Sequence, residues 1–176
     1  MASEEGPCEG RSVQVRLIGA DDWATYREVR LAALADTPEA FSSSLERERA
    51  FGEQTWRDRI AAAATFLAFL DDAPAGTVTV LGYEQNHNHG FTGAAHIVAM
   101  WVSPPARKRG IGRRLVSAAL DQARSAGAPS AVLWVFEDNE RAYGLYERMG
   151  FRATEFRDSP PGRPDDVEVL MVADLR

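Results

Sequence analysis

Apolar and polar residues alternate in Val13-Gln-Val-Arg-Leu-Ile18, the period of a half-buried strand. The pattern then changes to a helical one. Asp21 or Asp22 can cap a helix whose inner side carries Tyr26, Val29, Leu31 and Leu34, running to about Ala35. Asp36-Thr-Pro38 ends it, since proline cannot continue the hydrogen-bond ladder. A polar link from Phe41 to Phe51 leads to a second helix over about Glu53–Ala64. Phe66–Leu70 and Gly76–Leu81 read as strands joined by the turn Asp71-Asp-Ala-Pro74. Tyr83–Gly93 is a loop, and Ala94–Val102 is a strand. A helix then ends near Ala126, with Gly127 as its C-cap and Pro129 beyond. Ala131–Phe136 predicts a strand, and Asn139–Met149 a helix stopped by Gly150. Phe151–Arg157 and Val167–Ala173 are closing strands across the turn-rich Asp158–Asp166. The class is α/β (α+β).

Between the strand ending at Val102 and the helix starting near Leu115 lies Ser103-Pro-Pro-Ala-Arg-Lys-Arg-Gly-Ile-Gly-Arg-Arg114. Gly110 and Gly112 let backbone N–H groups converge without Cβ obstruction. The first N–H groups of a helix lack internal partners, and the helix dipole adds positive potential there. Arg107, Lys108, Arg109, Arg113 and Arg114 oppose a formal net charge of −6. Local charge of the opposite sign to the whole chain marks an anion site, most naturally for a pyrophosphate. No Walker loop is present. A dinucleotide G-x-G-x-x-G fails at Leu115, and seven residues separate Val102 from Gly110, too many for a tight Rossmann turn.

The segment Arg107-Lys-Arg-Gly110-Ile-Gly112 fits R-x-x-G-x-G and follows Val102-Ser-Pro104. It resembles the pyrophosphate-binding motif of the GCN5-related N-acetyltransferases. A second block, Asn139-Glu-Arg-Ala-Tyr-Gly-Leu-Tyr-Glu-Arg-Met-Gly-Phe151, resembles that family's N-x-x-A-x-x-L-Y-x-x-x-G-F. The resemblance implies a mixed, mostly antiparallel sheet of about seven strands with helices on both faces. It also implies that the two central strands, ending near Val102 and Val135, splay apart to take the pantetheine arm of acetyl-CoA as co-substrate.

Composition narrows the setting. A chain of 176 residues with 45% hydrophobic content is one domain able to bury a core. The longest apolar stretch, Ile60–Leu70, is short of a membrane span. Residues 1–10 read as a flexible acidic leader before a single domain over 11–176. The leader holds the only cysteine, Cys8, so no intrachain disulfide is expected. The cytoplasm is the default location. Arg30, Arg59 and six other arginines read as dispersed surface charge. No basic stripe with interleaved aromatics argues for nucleic acid. His87 and His89 lack a third ligand and predict no metal. A homodimer is left open.

Acetyl transfer to an amine needs a phosphate anchor, an N–H donor to the carbonyl oxygen, a base for the amine and an acid for the thiolate. The resemblance implies that Arg107, Lys108, Arg109, Gly110, Ile111, Gly112 and Arg113 bind the phosphates. It assigns Met100, Trp101 and Val102 to the acetyl group and pantetheine, Asn139 to the pantetheine amides, and Tyr146 to the sulfur as acid. Asn139, Tyr143 and Tyr146 are spaced i, i+4, i+7 on one helix face. Tyr143 reads as packing. Gly144, costly inside a helix, suggests close approach by another element or the ligand. His96 falls where some members carry a basic glutamate, and Trp134 falls where others place a carboxylate. Glu137, Asp138 and Glu46 are the other candidate bases. The acceptor is expected between Ala35–Phe51, Tyr83–Gly93 and Asp158–Asp166, among Glu39, Glu46, Glu48, Glu84, Asp158, Asp165 and Asp166, which suit a small-molecule or peptide amine. The competing readings are an acyl-CoA-binding regulatory domain without catalysis and a nucleotide-binding oxidoreductase.

Overall fold

The structure, a computed structural model, describes residues 12–82, 89–160 and 163–176. The leader and the Tyr83–Asn88 part of the expected loop, with Glu84 and His87, lie outside the described residues. Seven strands are present: β1 (Val13–Leu17), β2 (Ala64–Leu70), β3 (Ala73–Leu81), β4 (Ala95–Val102), β5 (Ser130–Phe136), β6 (Arg152–Asp158) and β7 (Glu168–Asp174). They form one sheet in the order β1-β2-β3-β4-β5-β7-β6. Every neighbouring pair is antiparallel except β4 with β5.

The helices are α1 (Trp23–Asp36), α2 (Leu45–Arg49), α3 (Glu53–Ala62), α4 (Ile111–Ser125) and α5 (Glu140–Arg148). Period-2 alternation within β2 explains the two-sided core. Phe66 and Ala68 pack with Leu115, Val116 and Ala119 of α4. Leu67, between them, packs on the other face with Tyr26, Val29 and Ala33 of α1 and Trp56 and Ile60 of α3. A strand apolar at consecutive positions is therefore buried on both sides, with helices on both faces of the sheet.

The central seam is where the sheet opens. β4 and β5 pair only through Ala95–Ala131 and His96–Val132. Beyond His96 the β4 edge that faces β5 has no ladder partner, so its backbone groups there need another partner. A bulge lies in the same stretch. Thr77 and Thr79 of β3 face Trp101 and Val98, giving β4 one extra residue, and Ala99 adopts φ 53°.

Three expectations about elements change. β3 starts at Ala73 rather than Gly76, because Asp71 (φ 51°) and Asp72 (φ 64°) form a two-residue turn that brings Leu70 opposite Ala73. The helix expected to reach Ala64 stops at Ala62, and Ala64 already pairs with Val80. The polar link Phe41–Phe51 contains α2, capped by the Ser44 hydroxyl, which accepts from the Arg47 N–H at 3.2 Å. A five-residue helix spans too few turns for its periodicity to show in the sequence.

Candidate active site

The basic loop folds as an anion cradle. Pro104–Ala106 forms a 3-10 turn, Lys108 takes φ 64°, and Gly110 takes φ 76° as the N-cap of α4. No side chain caps α4, so its first N–H groups remain available to an anion. Lys108, Arg109 and Arg113 are exposed beside them. Arg107 and Arg114 are turned elsewhere. Arg107 donates through Nε to the Val102 carbonyl at 2.9 Å and pairs with Asp36 at the end of α1. Arg114 donates to the Val13 carbonyl at 3.1 Å. Trp101 is buried on the α1 side, its indole N–H donating to Asp36 at 2.9 Å. Both side chains are thus taken up within the fold, and so is backbone: Trp101 lies opposite Thr77 in the β3–β4 ladder, and the Arg107 N–H donates to the Pro104 carbonyl at 3.3 Å.

Gly112 joins three parts of the site. A Cβ there would lie 3.2 Å from Leu145 Cδ2, 3.4 Å from Met100 Cε and 3.9 Å from Val102 Cγ2. The first turn of α4, the open end of β4 and α5 therefore converge on this residue. Tyr146 follows Leu145 and is buried, its ring edge-on to Phe151 at 5.8 Å between centroids. Burial pushes its phenol above the usual range, which keeps the proton on at neutral pH. Tyr143 is half-buried against the main core. Asn139 caps α5, its Oδ1 accepting from the Ala142 N–H at 3.1 Å, which leaves its NH2 group exposed. Near Gly144 a Cβ would meet only the Arg148 guanidinium tip, at 3.3 Å, so no packed element explains that glycine.

On the other side of the seam lies a cavity of about 580 Å3, lined by α1, α3, the α1–α2 link and strands β2–β5 and β7. This volume suits a metabolite or the end of a peptide. His96, Trp134 and Glu168 all line it. Burial holds the His96 imidazole below its ordinary range, so the neutral, proton-accepting form persists to lower pH. Burial and the neighbouring Asp158, its cross-strand partner, raise the Glu168 carboxyl, against the lowering pull of Arg163. Sequence reading missed Glu168 because it sits in a closing strand 72 positions from His96, and only strand order brings the two to one cavity.

The other candidate bases do not line this cavity. Glu137 is exposed and paired with Arg157, and Asp138 and Glu46 are exposed. His89 stacks on Phe156 at 4.4 Å and meets Trp134 edge-on at 5.4 Å. No cluster of three metal-ligating side chains occurs among the described residues.

Two arginines expected at the surface belong to the cavity wall. Arg30 is buried and grips Glu48 through Nε and Nη2 at 3.0 and 2.9 Å, and Arg59 reaches the same carboxylate at 2.9 Å. Glu48, expected at an acidic mouth, is fully buried between them. Their hydrogen bonds and charge outweigh its desolvation and hold its carboxyl down at about 2. Glu48→Gln strands the buried Arg30 charge and should cost about 3–5 kcal/mol in urea unfolding. Because the folded pKa is depressed, Glu48 stabilises the fold fully above the ordinary 4.5 and loses this effect as pH falls towards 2. The stability difference between wild type and variant should shrink over that range. A difference that stays constant down to pH 2 would contradict the assignment.

Comparison with known proteins decides the family. Residues 26–151 match the family model described as Acetyltransferase (GNAT) family. The chain belongs to the GNAT acetyltransferase family. Among its relatives, the mycothiol acetyltransferase of Streptomyces avermitilis is 30% identical over 147 residues, covering 84% of this chain and 44% of that protein. The enzyme of the same name from Salinispora tropica is 33% identical, covering 81% and 45%. The chain thus spans less than half the length of these relatives. The fold matches an acetyltransferase from Salmonella typhimurium solved with acetyl-CoA, at TM-score 0.73 and 19% identity, over 94% of this chain and 95% of that one. It also matches the PaiA N-acetyltransferase of Thermoplasma acidophilum in complex with coenzyme A, at TM-score 0.67 and 16% identity, over 93% and 99%. The expected GNAT sheet, its helices on both faces and its central splay are all present. No helix among the described residues is long and apolar enough to cross a membrane.

Proposed function

We propose that this GNAT protein is an acetyl-CoA-dependent N-acetyltransferase acting on a primary amine by direct transfer in a ternary complex, in the cytoplasm. The observation that carries the reading is the opening of the β4–β5 seam after His96. The anion cradle meets α5 at its far end through Leu145, the residue before Tyr146, and a cavity lined by His96 and Glu168 lies alongside it.

Acetyl-CoA supplies an acetyl group activated as a thioester. The Gly110–Arg113 backbone and the exposed Lys108, Arg109 and Arg113 hold its phosphates. The β4 edge beyond its last pairing with β5 offers the backbone groups of Met100 and the N–H of Val102 to the acetyl oxygen and the pantetheine, the Val102 carbonyl being taken by Arg107, and the Asn139 NH2 group offers a further donor. Glu168 attracts the acceptor as an ammonium ion, which sheds one proton to solvent to become the nucleophile, and His96 takes the second proton as the nitrogen attacks, later returning it through solvent to the Tyr146 phenolate. The C–N bond forms, the C–S bond breaks, and Tyr146 gives its proton to the departing sulfur.

His96→Gln should lower kcat about 10²–10⁴-fold while acetyl-CoA affinity stays unchanged. In the wild type, activity rises with pH as His96 deprotonates, and its lowered pKa puts this limb below the ordinary 6.5. A variant that keeps both the height and the acidic limb of the profile makes His96 structural.

Glu168→Gln separates binding from stability. Its carboxyl is raised in the fold, so the ionised form weakens the fold as pH rises through the folded pKa. The variant should raise KM for the amine and also raise Tm at neutral pH. An unchanged KM rules out contact with the amine.

A further inference from the structure

The α1–α3 wall of the acceptor cavity carries an unbalanced charge. Arg30 and Arg59 both line the cavity, and both bind the one carboxylate of Glu48. Two guanidinium groups against one carboxylate leave a net charge of +1. The donors are also unevenly used. Arg30 reaches Glu48 through Nε and Nη2, and Arg59 through Nη1 and Nη2, so Arg30 Nη1 and Arg59 Nε take no part in that contact.

Aromatic faces fix the orientation of both groups. The Arg30 guanidinium lies over Phe41 at 4.5 Å, and that of Arg59 lies over Phe51 at 4.9 Å and Trp56 at 5.4 Å. These stacks and Glu48 hold the guanidinium planes before any ligand arrives, which lowers the ordering cost of binding. Among the described residues, Glu168 is the only carboxylate that lines the cavity, and it comes from β7. The cavity therefore has a cationic wall on α1 and α3 and an anionic one on β7.

We propose that the acceptor is an amino carboxylic acid whose carboxylate is held by Arg30 and Arg59 while its amine meets His96 and Glu168. A single net positive charge matches a singly charged carboxylate better than a phosphate dianion. This inference rests on the transferase reading for its amine end, but the carboxylate end can be tested without turnover.

The test uses the full chain saturated with coenzyme A, so that the phosphate loop is filled. Calorimetry compares N-acetyl amino acids with their neutral carboxamides. The acids should bind about ten- to a hundredfold tighter, as expected for a charge-assisted contact. Arg59→Gln should erase that preference and Arg59→Lys should keep part of it. Arg59→Gln leaves the Arg30–Glu48 pair intact, and the melting temperature checks that the fold persists. Equal binding of acids and amides, no binding of either, or a preference that survives Arg59→Gln overturns the proposal.

Turnover of amino acids against their methyl esters is the second arm. Lower KM for the acids supports the proposal, and equal kcat/KM for both overturns it while leaving the transferase reading intact. Arg59-dependent binding of the acids without acetylation of any amine preserves the carboxylate site and overturns the transferase reading.

Discussion

Gly112→Asp should raise the Kd for acetyl-CoA by about a hundredfold or more, the equivalent of about 3 kcal/mol of charge repulsion. The expectation has two causes. The added carboxylate sits in the uncapped first turn of α4, where the helix dipole and free N–H groups attract it, so it occupies the field that an incoming phosphate needs and repels that phosphate. The Cβ itself meets Leu145 at 3.2 Å and Met100 at 3.4 Å, so α5 and β4 must give way to admit it. A glycine expected to clear space for phosphate also lets three elements approach one another.

Because this substitution also disturbs packing, Lys108→Glu combined with Arg113→Glu provides a surface test. Both side chains are exposed, so the double variant should keep its melting temperature. Its Kd should still rise, and the affinity should depend less steeply on salt than in the wild type. Calorimetry across a salt series reads both quantities. Wild-type affinity in both variants would move the phosphates away from this loop.

Tyr146→Phe should lower kcat by about 10²–10⁴-fold, the usual range for general acid catalysis. The phenylalanine ring preserves the edge contact with Phe151, so stability and acetyl-CoA affinity should hardly change. Burial raises the phenol pKa and keeps the proton on at neutral pH, which fits the proposed role of an acid rather than a base. Tyr143→Phe on the same helix is the control and should change little. Single-turnover measurements separate the chemical step from product release. Normal turnover by Tyr146→Phe, or failure of the Tyr143 variant instead, sinks the assignment.

Much of the site was legible because it is local in the chain. The cradle lies within Val102–Leu115, where glycine spacing, clustered charge and a helix start are all contiguous. The Asn139–Phe151 block is equally compact, and its cap and buried tyrosine follow from helical spacing. Local pattern also predicted all seven strands and four of the five helices, since periods of 2 and 3.6 need only a few neighbouring residues. α2 escaped because five residues carry too little of that period.

The acceptor side was not legible in the same way. Glu168 reads in sequence as one acidic residue in a closing strand, Arg30 and Arg59 as ordinary surface charges, and Glu48 as one of several acids around an expected acceptor mouth. Only the insertion of β7 between β5 and β6 brings Glu168 to the cavity of His96. Only the packing of α1, α2 and α3 closes two guanidinium groups around one buried carboxylate. The sequence by itself determined the elements, the basic glycine loop at the start of α4 and the place of Tyr146 on its helix, because each depends on residues a few bonds or one helical turn apart. The tertiary structure decided which of the candidate bases lines the cavity, the charges on that cavity's wall and the second purpose of Gly112. Those depend on strand order and helix docking, and the groups they bring together are separated by tens of residues that carry no local mark of the contact.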